Sequence, residues 1–402
     1  MKILLENSDQ FSLFNRQESL FSKDIQSTES KLNEILGDSK ILIVGAAGSI
    51  GQSVSNEIFK RNPKILHLVD LSENNLVELI RTLRSSFVEF GGELKSFALD
   101  VGSKEFELFI SQSCKYDFVF NLSALKHVRS EKDPFTLMRL INVNIFNSLK
   151  LLRLTEHTDL KNYFCVSTDK ATNPVNLMGA SKKIMENFLI RESEYQNISL
   201  ARFANVAFSD GSLLFGFEQR IKKKQPLSAP LDIERYFITQ QESGELCMIS
   251  GILGKNRDIF FPKLNEKFKL MRFSDIALNY LNGLGFEPEI YDNEFEAKEN
   301  ISSLIKKKKW PCYFFESDTT GEKQIEEFFT NEESIDANSF REINIIKNKL
   351  IYDDDLLNYF EREIKRLVSK NFWLKKDIVE IFQKTLPNFI HNEKNKDLDQ
   401  KM

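Results

Sequence analysis

The chain has 402 residues with 41% hydrophobic and 28% charged content, which suits one large packed domain with a second lobe, or two or three small domains. A formal net charge of −4 without a long arm of one sign argues against nucleic acid or an anionic membrane as a partner. Cys114, Cys165, Cys247 and Cys312 show neither a CxxC pair nor a metal-ligand spacing, so reduced thiols, no metal site and a cytoplasmic location are expected.

Residues 1–39 form a polar preface. Its opening, MKILLENSDQFSLFNRQ, breaks the apolar run with Glu6, Asn7 and Asp9 and has no signal-peptide core. Within SKLNEILGDS, Leu32, Ile35 and Leu36 keep helical spacing and Gly37 is a stop. Residues 40–205 then alternate short apolar runs with helical patterns. Strands are expected at 41–44, in KILHLVD ending at Asp70, in LKSFALDV reaching Asp100 and Val101, at 117–124 and at 162–168. Helices are expected at about 74–90, 104–114 and 134–157. This alternation predicts an α/β Rossmann-type, doubly wound parallel sheet with right-handed crossovers. From 206 to 337 the elements shorten and mix, as in a smaller α/β substrate lobe interleaved with the first unit; Lys306–Lys309 reads as a solvated turn. Residues 338–402 read as a helical extension over 338–385 with a frayed polar tail, HNEKNKDLDQKM. No window holds the roughly 20 apolar residues that a membrane helix needs.

The loop GAAGSIG follows the first strand and opens a helix. Gly45 permits a tight turn, Gly48 lets backbone N–H groups approach a pyrophosphate, and Gly51 lets helix and strand pack closely; Ser49 and Ile50 begin the helix. Asp70 ends the next strand, where a carboxylate takes the ribose hydroxyls of NAD and repels the extra phosphate of NADP. The cofactor expected is therefore NAD rather than NADP. Asp100 and Val101 fit contacts along the adenine edge.

Further along stands VSTDKATNPVNLMGASK, residues 166–182. An apolar run ends in Ser-Thr, and Met178 stands four residues before Lys182, where dehydrogenases of this layout usually place a proton-transferring tyrosine. Together with SALKHV at 123–128, RFANVAFSDGS at 202–212, ERYFIT at 234–239 and TTGEKQIEEFF at 319–329, this resembles the nucleotide-sugar 4,6-dehydratase and epimerase branch of the extended short-chain dehydrogenases/reductases. The UDP-N-acetylglucosamine 4,6-dehydratases of bacterial polysaccharide biosynthesis are the members it is most similar to. Departures are Val44 before the first glycine, Ile145 and Phe146 in place of Gly and Thr, and Met178 itself, which a subset of the dehydratases carries.

The resemblance implies tightly bound NAD, a nucleotide-sugar substrate and a homo-oligomer built on a helix–helix contact. It also implies oxidation at C4, loss of water across C5 and C6, and return of hydride to C6. Lys170 is the candidate C5 base and Asp169 the candidate acid for the C6 hydroxyl; a lysine serves as base if its pKa is lowered, and an aspartic acid serves as acid if its pKa is raised. Thr168 is placed to meet the C4 oxygen. Lys182 is assigned to holding the nicotinamide ribose and, as a catalytic residue, to adding positive charge near the reacting alcohol, and Ala124 to the cofactor side of SALKHV. Lys126, His127, Met178, Arg202, Asn205 and Arg235 are the candidate substrate contacts; a salt bridge between lobes is the competing account of each arginine. A 4-epimerase and a non-catalytic nucleotide-sugar-binding protein are the alternative functions.

Overall fold

The computed structural model describes residues 7–85, 89–157, 159–317 and 323–391. The first six residues of the preface, part of the expected helix 74–90, most of TTGEK and the polar tail after 391 lie outside them.

Six strands run parallel: β1 (Lys40–Val44), β2 (Ile65–Asp70), β3 (Glu93–Ala98), β4 (Phe118–Asn121), β5 (Asn162–Thr168) and β6 (Ile198–Phe203). Their order in the sheet is 3-2-1-4-5-6. β1, β4 and β5 are near-continuous apolar runs because helices cover both faces, whereas β3, at the edge, has only half-buried and exposed residues. The order reverses between β1 and β4. That reversal opens a crevice beyond the carboxyl ends of the strands, where sheets of this kind bind ligands.

The sheet does not stop at residue 205. Asp258–Pro262 adds parallel to β6, and Ile343–Lys347 and Ile335–Asp336 add antiparallel strands beyond it, completing nine strands. The expectation of helix throughout 338–385 is corrected accordingly. INIIK, residues 343–347, is rich in β-branched side chains that pack on the core face, and helix begins only at Asp354–Ser369 and Lys375–Thr385.

A smaller lobe holds a three-stranded parallel sheet, Glu287–Tyr291, Lys309–Phe315 and Leu227–Pro230. It has its own core around Phe217, Tyr280 and Trp310. Lys308 sits in a left-handed turn (φ 58°) between that lobe's last helix and strand.

The first and last described segments are both tied to the large unit, and Leu13 and Phe14 also join the core of the smaller lobe. The preface helix Ser22–Gly37 packs on the helix Gln240–Leu253. Arg16 pairs with the buried Glu242 at 2.8 Å, and both Asp24 oxygens accept backbone N–H groups, from Arg341 and Glu342. The C-terminal helices lie over the helices of residues 134–155 and Leu177–Glu192. Phe360 meets the rings of Phe146, Phe188 and Phe382, and the Trp373 indole N–H donates to the Pro134 carbonyl. This accounts for two departures from the family pattern. Within residues 134–155 the turn Asn142–Phe146 is a π-helix; Ile145 is buried there and Phe146 stacks under the extension.

Candidate active site

The glycine loop leaves β1 with Gly45 at φ 79°, a left-handed conformation that favours glycine. A Cβ at Gly45 would stand 2.6 Å from the Ser123 nitrogen, and one at Gly51 only 2.0 Å from the Gly45 carbonyl oxygen. The loop therefore admits no side chain at either place, and the helix Ser49–Phe59 presents its N-terminus to the crevice. Asp70 reaches back into this loop: one carboxylate oxygen accepts from the Ala47 N–H at 2.9 Å and the other from the Ser72 N–H at 3.0 Å. Asp100 is exposed and accepts from the Gly102 N–H; Val101 is buried beside it.

On the far side of the loop lies a group that pattern reading only partly found. The Ser49 hydroxyl donates to Asp210 at 3.1 Å and accepts from the Asp210 N–H at 2.9 Å. A Cβ at Gly211 would touch the His127 ring at 2.8 Å. Burial, and then the positive charges of Lys126 and Arg129, hold the His127 imidazole down at about 4. It is therefore neutral near pH 7. The loop carrying Lys126 and His127 is anchored by Asn144 of the π-helical turn. Its carboxamide bonds to the N–H and carbonyl of Leu125 and to the Ser181 hydroxyl.

The STDK turn closes β5 at the same end of the sheet. The Thr168 hydroxyl donates to Asp169 at 2.9 Å, and the Lys170 ammonium donates to the same oxygen at 3.1 Å and to the side-chain Oδ1 of Asn205 at 3.4 Å. Thr168, Asp169, Lys170 and Asn205 thus converge. Burial pulls the Lys170 pKa down, but Asp169 and Glu326 outweigh it, and the net direction is upward. Lys170 is held as an ammonium, which runs against a freely available amine base.

Glu326 was not foreseen. It belongs to the TTGEKQIEEFF stretch, is buried, and stands 3.8 Å from the Lys170 nitrogen and 3.9 Å from Arg235. The segment bearing it is strapped across the turn: Lys323 donates to the Thr172 carbonyl, Asn173 to Glu327, and Arg235 to the carbonyls of Lys323 and Gln324.

The remaining candidates are placed less directly. Met178 is buried in the first turn of Leu177–Glu192, and its N–H donates to Glu131 at 2.7 Å. Lys182, one turn on, is buried with its amine on the Val166 carbonyl at 3.0 Å, and burial lowers its pKa. Arg202 is corrected from a substrate contact to a structural residue. All five guanidinium N–H groups are taken within the fold, by Glu186, Glu333 and the Phe328 carbonyl. Arg235 is buried and holds the strap.

The family model described as polysaccharide biosynthesis protein matches residues 41–348. A Methanocaldococcus jannaschii protein described as an uncharacterised membrane protein is 28% identical over 360 residues, covering 84% of this chain and 97% of that one. Among the described residues here, no helix is long and apolar enough to cross a membrane. The probable polysaccharide biosynthesis protein EpsC of Bacillus subtilis is 26% identical over 286 residues, 69% of this chain, and the match spans 46% of its own length. A Rickettsia bellii protein described as a UDP-glucose 4-epimerase is 27% identical over 56% of this chain and 66% of its own. Among solved structures, Pen from Bacillus thuringiensis aligns with a TM-score of 0.63 at 22% identity, covering 79% of this chain and 90% of that one. A UDP-glucuronic acid 4-epimerase from Bacillus cereus, solved with NAD, aligns with a TM-score of 0.53 at 15% identity, covering 73% and 91%. These likenesses carry the Rossmann-type fold. A family match that begins in the first strand of the sheet and ends just past its last strand shows that the chain belongs to the polysaccharide biosynthesis protein family.

Proposed function

We propose that the chain catalyses the NAD-dependent 4,6-dehydration of a UDP-N-acetylhexosamine, UDP-N-acetylglucosamine first among them, to a 4-keto-6-deoxy sugar nucleotide for surface polysaccharide. The observation that carries this reading is the buried Asp169 paired with the half-buried Lys170 at the crevice end of β5, with Asn205 and the buried Glu326 against them. Oxidation at C4 alone calls for one proton acceptor. Loss of water across C5 and C6 calls for a base and an acid as well, and a buried cluster of carboxylates and a lysine provides that chemistry.

The glycine loop fits a dinucleotide: Gly45 and Gly51 have no room for side chains, and the helix N-terminus beside Gly48, Ser49 and Ile50 favours a phosphate. Asp70, Asp100, Val101, Ala124 and Lys182 are the other residues we assign to NAD, which when bound supplies the hydride acceptor and donor. The Asp70 carboxylate disfavours the extra phosphate of NADP. Lys126, neutral His127, Met178 and Asn205 are the substrate contacts. Thr168 orients Asp169, and Asp169 fixes the Lys170 ammonium. Asp169 takes the proton lost from the C4 hydroxyl and then delivers it to the departing C6 hydroxyl, and Lys170 takes the C5 proton once it has given up its own.

A 4-epimerase is the second reading, favoured by relatives described as UDP-glucose 4-epimerases. Incubation with UDP-N-acetylglucosamine separates the readings by mass. A product lighter by one water supports the dehydratase, an isomer of equal mass supports the epimerase, and tight binding without conversion supports a binding protein. In the first case Lys170→Ala should abolish water loss while leaving NAD binding intact.

A further inference from the structure

Glu326 is a buried carboxylate with an incomplete set of partners. One oxygen stands 3.8 Å from the Lys170 nitrogen and 3.9 Å from Arg235. The other has no hydrogen-bond partner among the described residues, although it is shielded from solvent. Such a group costs stability, and in native structures it calls for an explanation. The strap that delivers it is firmly built. Arg235 holds the backbone of Lys323 and Gln324, Lys323 reaches the Thr172 carbonyl, and Arg202 grips the Phe328 carbonyl and Glu333. Lys170 is therefore enclosed by Asp169 on its own turn, Asn205 beyond β6, and Glu326 from the strap, with Arg235 behind Glu326 and Lys323 beside it.

We propose that Glu326 is the positioning residue that takes up the Lys170 proton, so that the two side chains exchange between an ammonium–carboxylate form and an amine–carboxylic acid form. This rests on the reading of Lys170 as the C5 base. The transfer breaks an N–H bond on Lys170 and forms an O–H bond on Glu326, with no net charge moved into the cluster. It closes a gap of 3.8 Å to an ordinary hydrogen-bond length of about 2.8 Å, a small swing for a lysine stem. The freed amine then takes the C5 proton. The C5–H electrons form the C5–C6 double bond, and the C6 oxygen leaves as water with the proton of Asp169. Asp169, a carboxylate beside the Lys170 ammonium, obtains that proton beforehand from the C4 hydroxyl on oxidation. Burial, opposed by Lys170 and reinforced by Asp169, raises the Glu326 pKa, in the direction that eases this uptake.

The signature is in the pH dependence. The two forms hold the same number of protons, so their ratio is independent of pH between the titrations of the pair. Without Glu326 the ammonium must lose its proton to solvent, and the active fraction then rises roughly tenfold per pH unit. The experiment is the rate of water loss from UDP-N-acetylglucosamine between pH 7 and pH 9, in wild type, Glu326→Gln and Glu326→Asp. The expected result is a nearly flat wild type, a roughly tenfold rise per unit in Glu326→Gln, and a return towards flatness in Glu326→Asp. A merely structural role would lower the rate without changing the slope. A Glu326→Gln profile as flat as wild type overturns the proposal, and so does a wild type that itself rises tenfold per unit. Should Glu326→Gln not fold, the wild-type slope still decides. If wild type releases no water at all, the dehydratase reading fails on its own, and nitrogen NMR of Lys170 becomes the readout. Its titration midpoint should fall by about one unit or more in Glu326→Gln, because one of two anions is gone; equal midpoints overturn the proposal.

Discussion

Replacing Arg202 with methionine should unfold the protein more readily without disarming its nucleotide site. Arg202 is 1% exposed, and the Glu186 carboxylate it grips is fully buried. Burial pushes the Glu186 pKa up, but Arg202 more than reverses this and holds the carboxyl down, from 4.5 to about 2. Because the folded value lies below the unfolded one, the stabilisation is complete above about pH 4.5 and is lost as the pH falls towards 2. A shift of that size corresponds to about 3 kcal/mol. Stripping one partner from a buried ion pair costs about 3–5 kcal/mol by an independent route, so both arguments agree on the scale. Urea unfolding of Arg202→Met at pH 7 should show a loss of about 3 kcal/mol. The deficit should shrink as the pH is lowered towards 3, since the stranded Glu186 then protonates. A loss under about 1 kcal/mol at pH 7 would refute the reasoning. So would a variant that keeps its stability but no longer binds UDP, because the guanidinium would then face the ligand.

Asp70→Ala should weaken NAD binding and relax discrimination against NADP, measured by titrating both cofactors; equal affinities in the unaltered protein would defeat the claim. Phe360→Ala, which empties the centre of the Phe146–Phe188–Phe382 cluster, should cost about 3–5 kcal/mol of stability in urea; a loss under about 1 kcal/mol would mean that the extension contributes little packing. Met178→Ala should leave the dehydration rate within about tenfold of wild type, a barrier change of about 1.4 kcal/mol. Asp169→Asn should cost at least about 100-fold, and a mild effect there would move the acid role to another group.

The parallel sheet was legible because β1, β2, β4 and β5 are short apolar runs ending at chemically marked residues, and β5 spans the expected 162–168. β6 is less plain: in ISLARF, Ser199 and Arg202 interrupt the pattern, and Glu186 on the preceding helix with Glu333 far along the chain shows how an arginine can be buried there. INIIK was misread because a strongly helical stretch follows it and its partner strand, Asp258–Pro262, lies far away in sequence. Of the site, the glycine loop and the STDK turn were readable, since each is a local pattern with local chemistry. The Lys182 orientation, the Asp210–Ser49 bond and the Glu326–Lys170 contact were not. Each depends on which side chain tertiary packing brings across the crevice, and spacing along the chain carries no trace of that.

Arg202 and Arg235 both hold the segment that carries Glu326. Both looked suited to gripping a phosphate. In the structure each gives part of its donors to the segment 323–333, Arg235 at its beginning and Arg202 at its end. The cost of burying two guanidinium groups is offset on one side by Glu186 and Glu333 and on the other by backbone carbonyls and Glu326. What this secures is the position of a carboxylate. Glu326 has no helix or strand of its own, and a loop alone would not hold a buried, half-partnered charge against the pull of solvent. Clamped at both ends, the strap keeps Glu326 beside Lys170. The two arginines thus fix the geometry of the segment that carries a third residue, Glu326.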